Sequence, residues 1–291
     1  MTTPSTLATG RLDMGRLEMG RLEMGRVALT VNDLDSVSAF YQRAVGLHLL
    51  RGDGETAELG AGEAVLLELR RDKAARRRSA REAGLFHTAF LLPSRADLGR
   101  WTRNAGSIRT AIVGASDHDV SEAIYLSDPE GNGVEIYADR PASTWHWADG
   151  GVAMSTKPLD IEDLLASAGD EPWTGFPDGG KVGHVHLQVG AIAPAEAFYS
   201  DVLGLDITCR YQGGTFYAAD GYHHHIATNI WNSRGATERT YPSTGLADFE
   251  IHVGKARLAA TRSRVANPSA ASPERLDLRD PWGTAITLLA G

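Results

Sequence analysis

Ser38-Ala-Phe-Tyr-Gln-Arg-Ala-Val-Gly-Leu-His48 returns 158 residues later as Glu196-Ala-Phe-Tyr-Ser-Asp-Val-Leu-Gly-Leu-Asp206. A second landmark follows in the same order: Asp128-Pro-Glu-Gly-Asn-Gly-Val-Glu-Ile136 is matched by Asp280-Pro-Trp-Gly-Thr-Ala-Ile-Thr-Leu288, at an offset of 152. Two landmarks in one order mark a duplicated domain. Each half is double again. Val27 to Val31 alternates like a strand, Asp33 to Val45 reads as a capped amphipathic helix, and Thr56 to Leu69 supplies further strands. Phe86 to Leu92 restarts the cycle. A helix over Arg95 to Ala105 follows, then strands around Thr110 to Val113, Ala123 to Leu126 and Val134 to Tyr137, with the Asp128 to Gly133 turn between the last two. The second half repeats the pattern from Val182 and from Phe249.

This pattern predicts an α+β fold of four βαβββ modules in two barrel-like domains. Residues 26–144 hold modules one and two, residues 181–291 hold modules three and four, and residues 145–180 link them. Ahead of them runs GRLDM-GRLEM-GRLEM-GR, from Gly10 to Arg26, where glycine returns too often for a stable helix. Residues 1–25 therefore read as a flexible tail.

The 291 residues carry a formal charge of -8, with 37 Asp and Glu against 29 Lys and Arg. That balance argues against nucleic acid as a partner, because displacing phosphate counterions needs a basic face. The one basic run, Arg70 to Arg81 with Lys73, Arg76, Arg77 and Arg78, reads as a solvated loop. The single cysteine, Cys209, cannot form an intrachain disulfide. No stretch approaches the ~20 apolar residues that span a bilayer, and the N-terminus lacks the apolar core of a secretion signal. The expectation is a cytoplasmic protein without a membrane partner, with sheet edges through which copies could associate as a homo-oligomer.

Ten histidines are present, and position separates them. His48 and His146 have no ligand-like neighbour at strand spacing and read as packing or surface residues. His87 and His184 occupy the same place in their modules, on the first strand. His184 and His186 share a strand face, as do Asp248, Glu250 and His252. Glu135 lies inside the apolar run Val-Glu-Ile-Tyr and needs a partner, for which a metal is economical. Two imidazoles and one carboxylate on one side of a metal leave positions open and suit non-haem Fe(II). Separately satisfied core polar groups are the alternative on spacing alone.

The Ala39-Phe-Tyr to Gly46-Leu pattern, the stretch from Asp117 to Tyr137 and Gly221-Tyr-His-His-His225 together resemble the vicinal-oxygen-chelate superfamily, and more narrowly its extradiol ring-cleaving dioxygenases. The likeness covers roughly residues 25 to 291. It implies paired βαβββ modules and a ferrous ion held by His, His and Glu, which fall on His87, His184 and Glu135. It also implies a catechol-type aromatic diol and dioxygen as substrates. Mn, Ni or Zn are the alternative metals. Arg26, Asp248 and Thr287 stand where the other modules would carry ligands, so neither half holds a full set. Pairing module two with module three unites the retained three. The competing arrangement pairs modules sequentially and completes a site with His118, Asp248 or Glu250.

The resemblance further implies an acid–base histidine at His224, with His225 as competitor, and substrate-flanking roles for His118 and Tyr125. Two rival functions stay open. One is a glyoxalase-like metal-dependent isomerase, and the other is a resistance protein that binds a small molecule without chemistry.

Overall fold

The computed structural model describes residues 21–265 and 272–291. Most of the expected tail, residues 1–20, lies outside them. Module one comprises β1 (Leu22–Val31), α1 (Leu34–Phe40), β2 (His48–Gly52), β3 (Thr56–Ala61) and β4 (Ala64–Arg71). Module two comprises β5 (Gly84–Leu91), α2 (Arg95–Ser107), β6 (Gly114–Asp117), β7 (Ser121–Ser127) and β8 (Gly133–Asp139). The linker carries a small ribbon, β9 (Trp147–Ala148) with β10 (Gly151–Val152), and helix α3 (Ile161–Ala166). Module three comprises β11 (Lys181–Gln188), α4 (Ile192–Glu196), β12 (Asp206–Tyr211), β13 (Gly214–Ala218) and β14 (Ile226–Asn229). Module four comprises β15 (Gly245–Val253), α5 (Lys255–Arg264), β16 (Arg275–Arg279) and β17 (Ala285–Ala290).

The strands form two large sheets. One runs β16-β17-β15-β1-β4-β3-β2 and joins module four to module one; the other runs β12-β13-β14-β11-β5-β8-β7-β6 and joins module three to module two. The first strands pair antiparallel across the halves, β1 with β15 and β5 with β11. The sequential pairing of module one with two is therefore not the one the strands make. Each of the segments 26–144 and 181–291 contributes one module to each sheet.

Local chemistry accounts for the elements. Asp33 caps α1 by accepting from the Ser36 N–H at 3.0 Å, and Ser94 caps α2 by accepting from Asp97. The glycine of each repeat, Gly46 at φ +96 and Gly204 at φ +75, takes the left-handed conformation that ends the helical turn. β1 starts at Leu22, so the end of the expected tail is strand, with Leu22 and Met24 buried opposite Val253 and Ile251. The strand expected over Thr110 to Val113 begins at Gly114 instead. Ile112 and Val113 are exposed, Val113 by 72%.

The two repeated landmarks meet in space. The Tyr41 hydroxyl lies 3.5 Å from Asp128 Oδ2, and the Tyr199 hydroxyl donates to Asp280 Oδ2 at 3.0 Å. Burial first, and then the adjacent carboxylate, pushes both phenols well above their usual pKa, so both stay protonated donors. The tyrosine of the odd module's helix thus locks onto the Asp-Pro turn of the next module. Losing one such buried bond costs about 1–3 kcal/mol. Trp101 of α2, fully buried, adds a further tie by donating to the Ala44 carbonyl at 2.9 Å.

Candidate metal centre and cavity

β5 lies between β11 and β8. Ala89 stands opposite His184 on one side and Glu135 on the other, and its small methyl leaves a gap that the two longer side chains fill. Two residues away, on the same face, His87 stands opposite His186 and Gly133. A Cβ on Gly133 would lie 2.1 Å from the Phe86 carbonyl oxygen and 3.0 Å from His87 Cβ, so only glycine lets β8 approach there.

Three buried donor atoms meet at this point. Glu135 Oε2 lies 2.9 Å from His87 Nε2 and 3.2 Å from His184 Nε2, and the two Nε2 atoms are 3.3 Å apart. A metal with bonds near 2.1 Å and ligands at right angles places neighbouring donors about 3 Å apart, so these three fit one face of an octahedron. Burial pushes the Glu135 carboxyl up, but the charges and hydrogen bonds of His184 and His87 outweigh it and hold Glu135 well below the usual carboxylate range. His184 is lowered, chiefly by burial, which favours the neutral ring a metal needs. Its Nδ1 is buried with no hydrogen-bond partner among the described residues, a departure from the usual bonding of a ligand imidazole's second nitrogen.

The trio opens onto a cavity of about 740 Å³ whose lining includes His118, Tyr125, His186, Phe216, His224 and Trp231. Tyr125 sits opposite Glu135 in the β7–β8 ladder. His118 Nδ1 is 2.6 Å from the Ser155 carbonyl, which can only accept, so Nδ1 carries the proton. Nε2 of a neutral His118 then accepts from the Tyr125 hydroxyl at 2.7 Å. Tyr125 is held well above the usual phenol pKa by burial and by Glu135, so it keeps its proton.

His224 belongs to a loop ahead of β14 and lines the cavity, with its ring 4.1 Å from that of His184. Asp139 Oδ1 accepts from His223 Nε2 at 2.8 Å, and His223 Nδ1 lies 2.7 Å from His224 Nδ1. With neutral rings, His223 Nδ1 must then accept from His224 Nδ1–H, which leaves the lone pair of His224 on Nε2. Burial, with His184 and His223 nearby, lowers His224 well below the usual histidine value. His225 does not line the cavity; its ring lies against Tyr222, 4.8 Å away.

Asp139 escaped the sequence reading, while His186, placed on the face of His184, and Arg78, read as part of a solvated loop, were given no role in the site. His186 lines the cavity and accepts from Asn229 Nδ2 at 2.9 Å. The period-two spacing of His184 with His186, and of Glu135 with Asp139, was the available signal.

Burial, the leading cause in each case, lowers His184, His186 and His224, and takes His225 down to about 3. The unfolded chain protonates these histidines below about pH 6.5 while the fold keeps them neutral, so their contribution is fully present above pH 6.5. It is lost as the pH falls from there toward 3. Metal-free protein is expected to lose up to about 1.4 kcal/mol per pH unit for each such histidine. Urea midpoints measured from pH 7.5 to 5 check this, and a flat profile would contradict it.

A sequence profile described as the Glyoxalase/Bleomycin resistance protein/Dioxygenase superfamily matches residues 23–136. The chain is also 42% identical over 272 residues to a catechol-2,3-dioxygenase from Bacillus subtilis (strain 168), covering 90% of this chain and 95% of that protein. The chain belongs to the glyoxalase/bleomycin resistance protein/dioxygenase superfamily. Among solved structures, glyoxalase I from Zea mays is 17% identical with a TM-score of 0.54, covering 93% of this chain and 92% of that one. The cppA protein from Streptococcus pneumoniae is 12% identical with a TM-score of 0.53, covering 94% and 98%. These two likenesses concern the superfamily's fold.

The other sheet of this superfamily member inverts the charge pattern. Arg26 Nη1 lies 2.8 Å from Glu68 and 3.1 Å from Asp248, and Nη2 lies 3.1 Å from Glu250. A guanidinium among three carboxylates stands where the repeat would place ligands. Asp248 and Glu250 are thereby committed to Arg26 in a different sheet from the trio, and His118 is held by Ser155 and Tyr125. The site completed by any of these three, as the sequential arrangement required, does not form. Among the described residues no helix is long and apolar enough to cross a membrane.

Proposed function

We propose that the protein is an Fe(II)-dependent extradiol dioxygenase that cleaves a catechol-type substrate with dioxygen. The observation that carries this reading is the trio of His87, Glu135 and His184 donor atoms, mutually 2.9 to 3.3 Å apart, on the wall of a cavity that Phe216 and Trp231 also line. The 42% identity to a protein named catechol-2,3-dioxygenase supports it. His87, Glu135 and His184 would hold the ion. Bound there, ferrous iron supplies Lewis acidity toward a diol and the redox chemistry that dioxygen requires.

The protein's own groups account for positioning and proton movement. His224 Nε2, kept free by the His223–Asp139 chain, takes a proton from a substrate hydroxyl and returns it later as an acid. Tyr125 spends its proton on His118, so its oxygen faces the substrate as an acceptor and orients the second hydroxyl. Phe216 and Trp231 flank the ring and displace water.

Anaerobic loading with Fe(II), followed by oxygen uptake with catechol, tests the reading. Uptake with one equivalent of iron and the yellow ring-opened product is expected. A full metal equivalent without uptake would replace this reading with a glyoxalase-like isomerase, and Mn, Ni and Zn would then be compared. Failure to bind any metal would replace it with a small-molecule binding protein.

A further inference from the structure

The loop between β4 and β5 is anchored to the opposite half. Arg76 and Thr244 share a backbone hydrogen bond at 2.9 Å, and the Arg78 N–H donates to Thr244 Oγ1 at 3.1 Å. This brings the half-buried Arg78 side chain to the cavity, where it is part of the lining. The solvated-loop reading of the basic run therefore fails at Arg78.

Two arginines meet there, with Glu82 and Asp128 within electrostatic reach of Arg78 and the Tyr241 ring 4.7 Å from the Arg239 guanidinium carbon. Arg78 Nη1 is buried and has no hydrogen-bond partner among the described residues, and the same holds for Nε and Nη1 of the buried Arg239. The two side chains converge on one spot: a Cβ on Gly245 would stand 3.1 Å from Arg78 Nε and 3.2 Å from Arg239 Nη1. The nearby carboxylates are engaged elsewhere. Glu82 accepts from Arg76 and from the Ser79 N–H, both at 3.0 Å. Asp128 accepts from the Glu130 and Asn132 N–H groups, each at 2.8 Å. Arg239 Nη2 is spent on the Tyr241 hydroxyl and the Leu246 carbonyl. Buried guanidinium N–H groups that no acceptor takes are costly, and an anion reaching them would offset that cost.

We propose that Arg78 recognises a carboxylate on the substrate, so that the substrate class is a catechol bearing an acidic substituent. This rests on the dioxygenase reading for the diol end only. Arg78 Cδ stands 3.7 Å from the position of a Gly84 Cβ, and Gly84 is three residues before His87 on β5. Three strand residues span about 10 Å, a distance that a catechol with a carboxylate on the ring or on a short side chain bridges with the reach of an arginine. Gln188, whose Nε2 donates to the Ala80 carbonyl at 2.7 Å, holds the loop against β11 at the same end of the cavity.

The test separates the anion from the diol. Metal-free protein is titrated by calorimetry with phenylacetate and with its neutral isostere phenylacetamide. The wild type is expected to favour the anion by at least about tenfold, as a charge-assisted bond to an otherwise unpaired arginine requires. Arg78→Gln is expected to erase the preference, and Arg78→Lys, which keeps the charge and guards against a folding defect, to retain part of it. Equal affinity of the wild type for both probes, or an unchanged preference in Arg78→Gln, would overturn the proposal. In iron-loaded enzyme, kcat/KM for 3,4-dihydroxyphenylacetate over 4-methylcatechol is expected to fall in Arg78→Gln by the same factor. Ring cleavage without anion preference would sink the role of Arg78 and leave the dioxygenase standing. Anion preference without metal or ring cleavage would do the reverse.

Discussion

Replacing Glu135 by glutamine is expected to cost the protein its metal and its ring-cleaving activity while leaving the fold intact. Glutamine keeps the volume of the side chain between Tyr125 and Ala89 but removes the charge that His87 and His184 converge on. Loss of groups that merely support metal ligands lowers affinity 10- to 100-fold, so losing a ligand charge should lower it by more than about a hundredfold. Metal content after dialysis, read by elemental analysis, is expected to drop below a tenth of an equivalent. Circular dichroism should be unchanged, because Glu135 contributes to the site and not to the apolar core. Full occupancy in Glu135→Gln would mean that the metal sits elsewhere.

Replacing His224 by alanine tests a different property. The residue lies against His184 but is not one of the three converging donors, so metal stoichiometry is expected to survive. Turnover is another matter. A positioned acid–base group contributes about 10²- to 10⁴-fold, and kcat is expected to fall within that range. Asp139→Asn should reproduce part of this loss through His223, since an amide can present its N–H to His223 Nε2 and reverse the tautomers along the chain. Undiminished kcat in His224→Ala would show that the proton moves through another group.

Much of this centre was legible from equivalence between modules. His87 and His184 share one module position, Glu135 interrupts an apolar strand, and only pairing module two with three unites them, as the β5–β11 ladder does. Residues whose place depends on a loop were not legible. The His223–His225 run obeys no strand alternation because it precedes β14, and its order is set by Asp139 and Tyr222, not by a pleat. Arg78 reads as one basic residue among several until Thr244, 166 positions away, fixes the loop that carries it. The strand misplaced over Thr110 to Val113 has a similar cause. Val113 is an exposed apolar residue on the cavity rim, and local pattern cannot distinguish a rim from a core.

The sheet order also has a temporal meaning. Every strand of the sheet that carries the candidate centre lies between Gly84 and Asn229, whereas the other sheet joins Leu22–Arg71 to Gly245–Ala290. During synthesis the first of these can close before the last sixty or so residues have been made. The second can pair its opening strand with β4 at once, but the other edge of β1 waits for β15, which emerges more than 200 residues later, a large loop to close. The N-terminal module thus keeps an open edge for its partner while the central sheet can already be complete.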